Sequence, residues 1–96
     1  MERQDALTAL AALAHETRLD VFRLLVQAGP AGLAAGSIAG NLAIAAPTLS
    51  FHLKELRNAA LIRSERDGRS LVYAPDFGAM RALVDFLTEN CCAGPS

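Results

Sequence analysis

Two features of this 96-residue sequence could carry chemistry: an adjacent cysteine pair, Cys91-Cys92, and a run of hydroxyl, aromatic and basic side chains between Pro47 and Arg69. The cysteines are the only two in the chain and follow Glu89-Asn90 at the end of a helical pattern. A redox-active thiol needs a low pKa, which a helix N-terminus or a nearby cation supplies; a helix C-terminus and a carboxylate work the other way. A soft ion needs no such help, because coordination itself expels the thiol proton. That favours metalloid sensing over redox sensing, and trivalent arsenic or antimony, as arsenite, antimonite or methylarsenite, fits the thiolates of Cys91 and Cys92. A thiol-redox or persulfide response is the alternative, and two incidental thiols near a frayed terminus the plain reading. A structural disulfide is not expected in a reducing compartment. Nor is zinc, whose structural sites take four ligands, since no other Cys or His lies near in sequence.

The second feature needs a helix followed by a hairpin. Leu49, Leu53 and Leu56 recur at helical spacing and form one apolar stripe, with Pro47 suited to a first turn. Ala45 and Ala46 offer no side-chain cap, so the first N–H groups are left for water or a phosphate. The opposite face carries Thr48, Phe51, Lys54, Glu55 and Asn58, a mixture that no core demands. Pro47, Thr48 and Phe51 are assigned to a DNA groove, where a hydroxyl can bond a base edge and a ring can touch a thymine methyl. Lys54 and Arg57 are assigned to phosphates. Asp67-Gly68, between Ile62–Arg66 and Arg69–Tyr73, predicts a tight hairpin with positive φ at both turn residues. Arg63, Arg66 and Arg69 cluster at its tip, and Arg66 and Arg69 are assigned to phosphate; a hairpin charged only for solubility is the plain alternative.

The remaining elements must position these. Asp5–Ala14 has Leu7, Leu10 and Leu13 at steps of three, with Ala11, Ala12 and Ala14 permitting close helix approach. After His15-Glu16-Thr17, Leu19, Phe22, Leu25 and Val26 define a second helix ending before Gly29-Pro30. His15 is read as a polar helix-start residue. Ala31–Gly36 reads as linker and Ser37–Leu42 as a short helix. From Asp76 to about Asn90, Phe77, Met80, Leu83, Val84 and Leu87 make a final stripe widened by Phe86. If that helix runs into the cysteines, its end must unwind before both sulfurs grip one atom, since helical neighbours point about 100° apart.

A chain of this length buries only about 60–70% of its unfolded surface, so a partner subunit would help. Few aromatics, no Trp and abundant Leu and Ala favour packed helices. No apolar run reaches the roughly 20 residues that span a bilayer, and MERQD does not resemble a signal peptide, so a cytoplasmic, membrane-free protein is expected. The net charge is −1, yet Ser37–Tyr73 has five basic against three acidic side chains, while the segments before and after it are net acidic. That modest excess implies binding governed by sequence and dimerisation more than by bulk charge. No acid, base and nucleophile arrangement is evident, so an enzyme is not expected.

Three runs, ALAHETRLDVFRLL at Ala12–Leu25, TLSFHLKELRNAALI at Thr48–Ile62 and RDGRSLVY at Arg66–Tyr73, resemble the ArsR/SmtB family of winged helix-turn-helix repressors. The resemblance implies a mainly α fold of about five helices plus a two-stranded wing, in one domain spanning residues 1–96. It implies a DNA-reading part at 37–73, dimerisation through helices at about 5–14 and 76–90, and a cysteine tail at 91–96. Ser50 and His52 then fall at or beside the DNA face; for His52 the equal alternative is a residue packed under the wing. The family's Cys-rich site on the third helix is absent here, because Asn41–Ile44 contains no Cys. Its last-helix zinc site, built from Asp, His and Glu, is also absent. The vicinal pair after Thr88-Glu89-Asn90 is similar to that of an arsenic-responsive subgroup, some of whose members have a third Cys that this chain lacks. The expectation is a homodimeric repressor of operator DNA, released when Cys91 and Cys92 capture the metalloid. A redox-sensing repressor and a winged-helix module for protein contacts are the rivals.

Overall fold

The computed structural model describes residues 1–94. Helices α1 (Arg3–Leu13) and α2 (Glu16–Ala28) are followed by strand β1 (Leu33–Ala34) and helices α3 (Ala35–Leu42) and α4 (Ala46–Asn58). Strands β2 (Ile62–Asp67) and β3 (Ser70–Pro75) then lead into α5 (Phe77–Thr88). Five helices and a small antiparallel sheet make a winged helix-turn-helix, as expected. Pro95 and Ser96, the end of the expected cysteine tail, lie outside the described residues.

The core forms where α2, α3 and α4 converge. Val21 and Leu25 of α2, Ile38 of α3, and Leu49 and Leu56 of α4 are fully buried, with Leu61 closing the base of the sheet. The α4 stripe read from sequence therefore faces inward along its whole length. A turn at Ala43, in the left-handed region at φ 54°, drops the chain from α3 into α4 within three residues. A second left-handed residue, Ala60, redirects α4 into β2.

Four sequence expectations are corrected. The stretch Ala31–Gly36 is more than linker: Leu33 and Ala34 pair antiparallel with Tyr73 and Val72, making the sheet three-stranded in the order β1-β3-β2. Gly32, at φ +75°, makes this pairing possible, because a Cβ there would collide with the Tyr73 carbonyl oxygen and sit 2.9 Å from Val72 Cγ1. The hairpin turn lies one residue later than expected. Asp67 pairs with Ser70, leaving Gly68 and Arg69 as the loop. Only Gly68 has positive φ, at 63°, which fits a type II′ turn.

The third concerns α1, where Ala11 and Ala14, expected to permit close helix approach, are exposed. Ala6, Ala9 and Ala12 face the core, whereas Leu7 is 49% exposed and Leu10 39% exposed. Alanines let α1 lie close against the domain, with Leu7 and Leu10 outward and Leu13 partly buried against the core. α5 behaves similarly: Asp76 caps it by accepting from the Ala79 N–H at 2.9 Å, and Leu83 turns inward with Met80 and Phe86 partly covered. Val84 at 50% and Leu87 at 57% remain open to solvent. The single stripe expected on α5 is thus split between two faces. Among the described residues no helix is long and apolar enough to cross a membrane.

Candidate nucleic-acid interface and cysteine turn

The buried side chains of α4 define its free face by exclusion. Pro47, Thr48, Ser50, Phe51, Lys54, Arg57 and Asn58 are exposed, and Glu55 is half-buried on the flank toward α1. The helix starts uncapped: Ala45 has extended backbone and no side chain receives the first-turn N–H groups. A positive helix end with free donors thus stands beside the exposed hydroxyls of Thr48 and Ser50. The wing carries Arg66 and Arg69, both exposed. Arg63 lies nearer its base, 3.4 Å from Glu65 in an exposed ion pair. Arg69 sits in the turn itself, a place it takes through the one-residue shift of the loop.

His52 departs from the rest of the set. It is only 6% exposed and packs against the start of α2, where the sequence had left open either the DNA face or a place under the wing. Arg18 Nε donates to His52 Nδ1 at 3.3 Å, which assigns the ring proton to Nε2 and the neutral form. The His15 ring lies 4.8 Å away, tilted by 51°. Burial lowers the His52 pKa below its ordinary 6.5, reinforced by His15 and by Arg18, with Glu55 opposing. The next residue, Phe51, presents its ring to solvent with 53% exposure while the Arg18 guanidinium lies 5.7 Å from its centroid. Sequence reading missed Arg18 and treated His15 as merely polar. Both meet α4 across more than thirty residues, a separation no local periodicity reveals.

The cysteine turn also differs from expectation. α5 stops at Thr88, so neither cysteine is helical. The Cys91 N–H donates to the Thr88 carbonyl at 3.0 Å, and Asn90 and Cys92 adopt left-handed backbone at φ 58° and 68°. That sequence of turns brings Cys91 Sγ and Cys92 Sγ to 3.1 Å, both exposed, with no unwinding of the helix required. The Cys91 pKa is raised, first by its hydrogen bond to Cys92 and then by desolvation. The direction matches the sequence argument, but the cause is the neighbouring thiol, not Glu89 or the helix end. Among the described residues no three His, Cys, Asp or Glu side chains group closely enough to hold a metal ion, and the two sulfurs have no third such side chain beside them.

A family model described as a helix-turn-helix domain matches residues 13–65, from the end of α1 to the middle of β2. The HTH-type transcriptional regulator YgaV of Escherichia coli is 29% identical over 89 residues, covering 93% of this chain and 88% of that protein. Among solved structures, an ArsR-like transcriptional regulator from Rhodococcus sp. RHA1 superposes with a TM-score of 0.78 at 26% identity, covering 88% of this chain and 76% of that one. HlyU from Vibrio cholerae gives 0.74 at 26% identity, covering 96% and 99%. A homodimeric winged helix-turn-helix DNA-binding domain from Mycobacterium bovis, a possible ArsR-family regulator, gives 0.74 at 25% identity, covering 88% and 76%.

Proposed function

The chain belongs to the helix-turn-helix domain family and is a winged-helix transcriptional regulator of ArsR type, and from that premise we propose a homodimeric repressor whose operator affinity is lost when Cys91 and Cys92 bind a trivalent arsenical or antimonial. α4 enters the major groove with Pro47, Thr48 and Phe51 toward the bases. Ser50, Lys54 and Arg57 meet the flanking backbone, and Arg66 and Arg69 follow the phosphates from the wing. His52 supports this face from within. Two copies join through α1 and α5, covering Leu7, Leu10, Val84 and Leu87, as the homodimer from M. bovis gives reason to expect. Their reading helices then meet half-sites about 34–36 Å apart.

The inducer half of this reading rests on one observation, the 3.1 Å separation of two exposed sulfurs. With an ion–sulfur bond of about 2.3 Å, taken from zinc thiolates, that separation subtends roughly 85° at a shared ion. A pyramidal trivalent centre accommodates such an angle, whereas tetrahedral zinc wants about 109° and two more ligands. The raised Cys91 pKa disfavours a peroxide-reactive thiolate, and coordination overcomes it by displacing the proton. Monomethylated trivalent arsenic needs only two thiolates. Arsenite needs a third, from the other subunit or a small thiol.

The test is fluorescence anisotropy of a labelled duplex taken from the protein's own upstream DNA, titrated with arsenite, antimonite and methylarsenite. Release by methylarsenite alone identifies a two-thiolate site; release by all three means a third ligand is recruited. Cys92→Ser should bind the duplex like the parent and stay bound under every arsenical. Release of that variant as readily as the parent, or release by peroxide without metalloid, overturns the inducer assignment.

A further inference from the structure

We propose that Arg18, on the first turn of α2 and outside both the reading helix and the wing, is a positioning residue that sets Phe51 for base recognition. The inference rests on the DNA-binding reading above. Three observations converge on this side chain. Its Nε–H is committed to His52 Nδ1 at 3.3 Å, which fixes the plane of the guanidinium. That guanidinium then lies 5.7 Å from the Phe51 centroid, while the His52 ring meets Phe51 edge-on at 5.6 Å. Finally, Arg18 is half-buried yet has no carboxylate partner: the ion pairs among the described residues are Arg63–Glu65 and Arg81–Asp85.

An unpaired guanidinium that is half-buried is unusual unless its position has a use. Here its charge is spread over a neutral imidazole and the face of an aromatic ring. An exposed phenyl on a helix would otherwise sample several rotamers. Arg18 and His52 hold two sides of the ring, leaving the remaining edge and face for the groove. An apolar ring so held can contact a thymine methyl without losing rotamer freedom at the moment of binding. Lysine in place of Arg18 keeps the charge but offers neither the Nε–H nor a planar surface for the ring.

The experiment is a double-mutant cycle read on a set of matched duplexes. The parent, Arg18→Lys, Phe51→Ala and the double variant are titrated against the upstream duplex and against versions in which single thymines of the half-site are replaced by deoxyuridine, which removes only the methyl group. The parent should bind more weakly at one such position per half-site, and Phe51→Ala should be insensitive there. Arg18→Lys should lose roughly two- to fivefold of that discrimination, the range expected for an exposed cation–π contact. On the Phe51→Ala background it should have no further effect. Thermal melting of each variant separates this from a fold defect, which would weaken binding to every duplex alike. Parent-like discrimination in Arg18→Lys, or independent effects that multiply in the double variant, overturns the positioning role. Failure of the parent to bind any DNA at low salt overturns the DNA-binding reading instead, and the positioning role with it.

Discussion

The wing offers the most direct quantitative test of DNA binding. Arg66 and Arg69 are exposed and free of ion pairs among the described residues, whereas Arg63 is engaged with Glu65. If both free arginines contact phosphate, each wing neutralises two charges and a dimer four. Each phosphate contact contributes about −0.9 to the slope of log K against log salt, so replacing both arginines with Ala should flatten that slope by about 3.6. Between roughly 50 and 200 mM salt, this amounts to a change of about 150-fold in the ratio of parent to variant affinity. The assay is anisotropy of the same duplex at four or five salt concentrations, with Arg63→Ala as the control. That control should change the slope much less, because its charge is already offset locally. Parallel lines for the parent and the double variant would show that the wing charges face water and not phosphate, and would return the hairpin to a solubility role.

Other outcomes follow from the packing. Gly32→Ala should cost about 2–4 kcal/mol in urea unfolding, from the left-handed φ together with the clash against Tyr73 and Val72; an unchanged midpoint would mean that β1 does not pair as described. Leu87→Glu should weaken the dimer by at least about 30-fold in analytical ultracentrifugation, the scale of losing an interface hot spot, while each chain stays folded. A dimer of parent strength would remove α5 from the interface. For His52 the sign is set by its lowered pKa: the unfolded chain binds the proton more readily, so this residue's contribution to stability is complete above pH 6.5 and declines as pH falls below that value toward the lowered native pKa. Thermal melting at several pH values should show this loss in the parent and a flatter profile in His52→Gln; equal profiles would contradict the buried neutral imidazole.

How much of this was legible in the sequence depended on how local each signal was. The α4 stripe of Leu49, Leu53 and Leu56, the uncapped start at Ala45, the stop at Gly29 and the basic hairpin are properties of short windows, and all stand in the structure. The turn slipped by one residue because Asp-Gly satisfies one turn type and Gly-Arg another, and only the strand register distinguishes them. Strand β1 was missed because two residues carry no periodicity; its evidence is a pairing with residues forty positions away. On α1 the close-approach face was legible only in part. Ala12, expected to permit close helix approach, is buried together with Ala6 and Ala9, whereas Ala11 and Ala14 are exposed, because which alanines meet the domain depends on how α1 docks. His52 and Arg18 belong to the same class of omission, since their contact exists only once α2 and α4 have packed.

The placement of the cysteines then constrains how an inducer could act. Unwinding of α5 is unnecessary, because the helix has already ended at Thr88 and the sulfurs already converge. What capture can change is the freedom of the turn after it: two left-handed residues, Asn90 and Cys92, would be held by a common ion to a helix end tied through Thr88, whose hydroxyl donates to Val84 O and whose carbonyl receives the Cys91 N–H. The exposed Val84 and Leu87 lie within that final turn and a half of helix, so a constraint on the cysteine turn bears directly on side chains proposed to sit between subunits. The inward route is stiffer, since Leu83 and the alanine face of α1 are closely packed on the domain core. The softer path therefore runs outward, to the dimer contact. A release mechanism built on these residues should reorient whole subunits while leaving the α2–α4 contact, with Arg18, His52 and Phe51, as it is in the free protein.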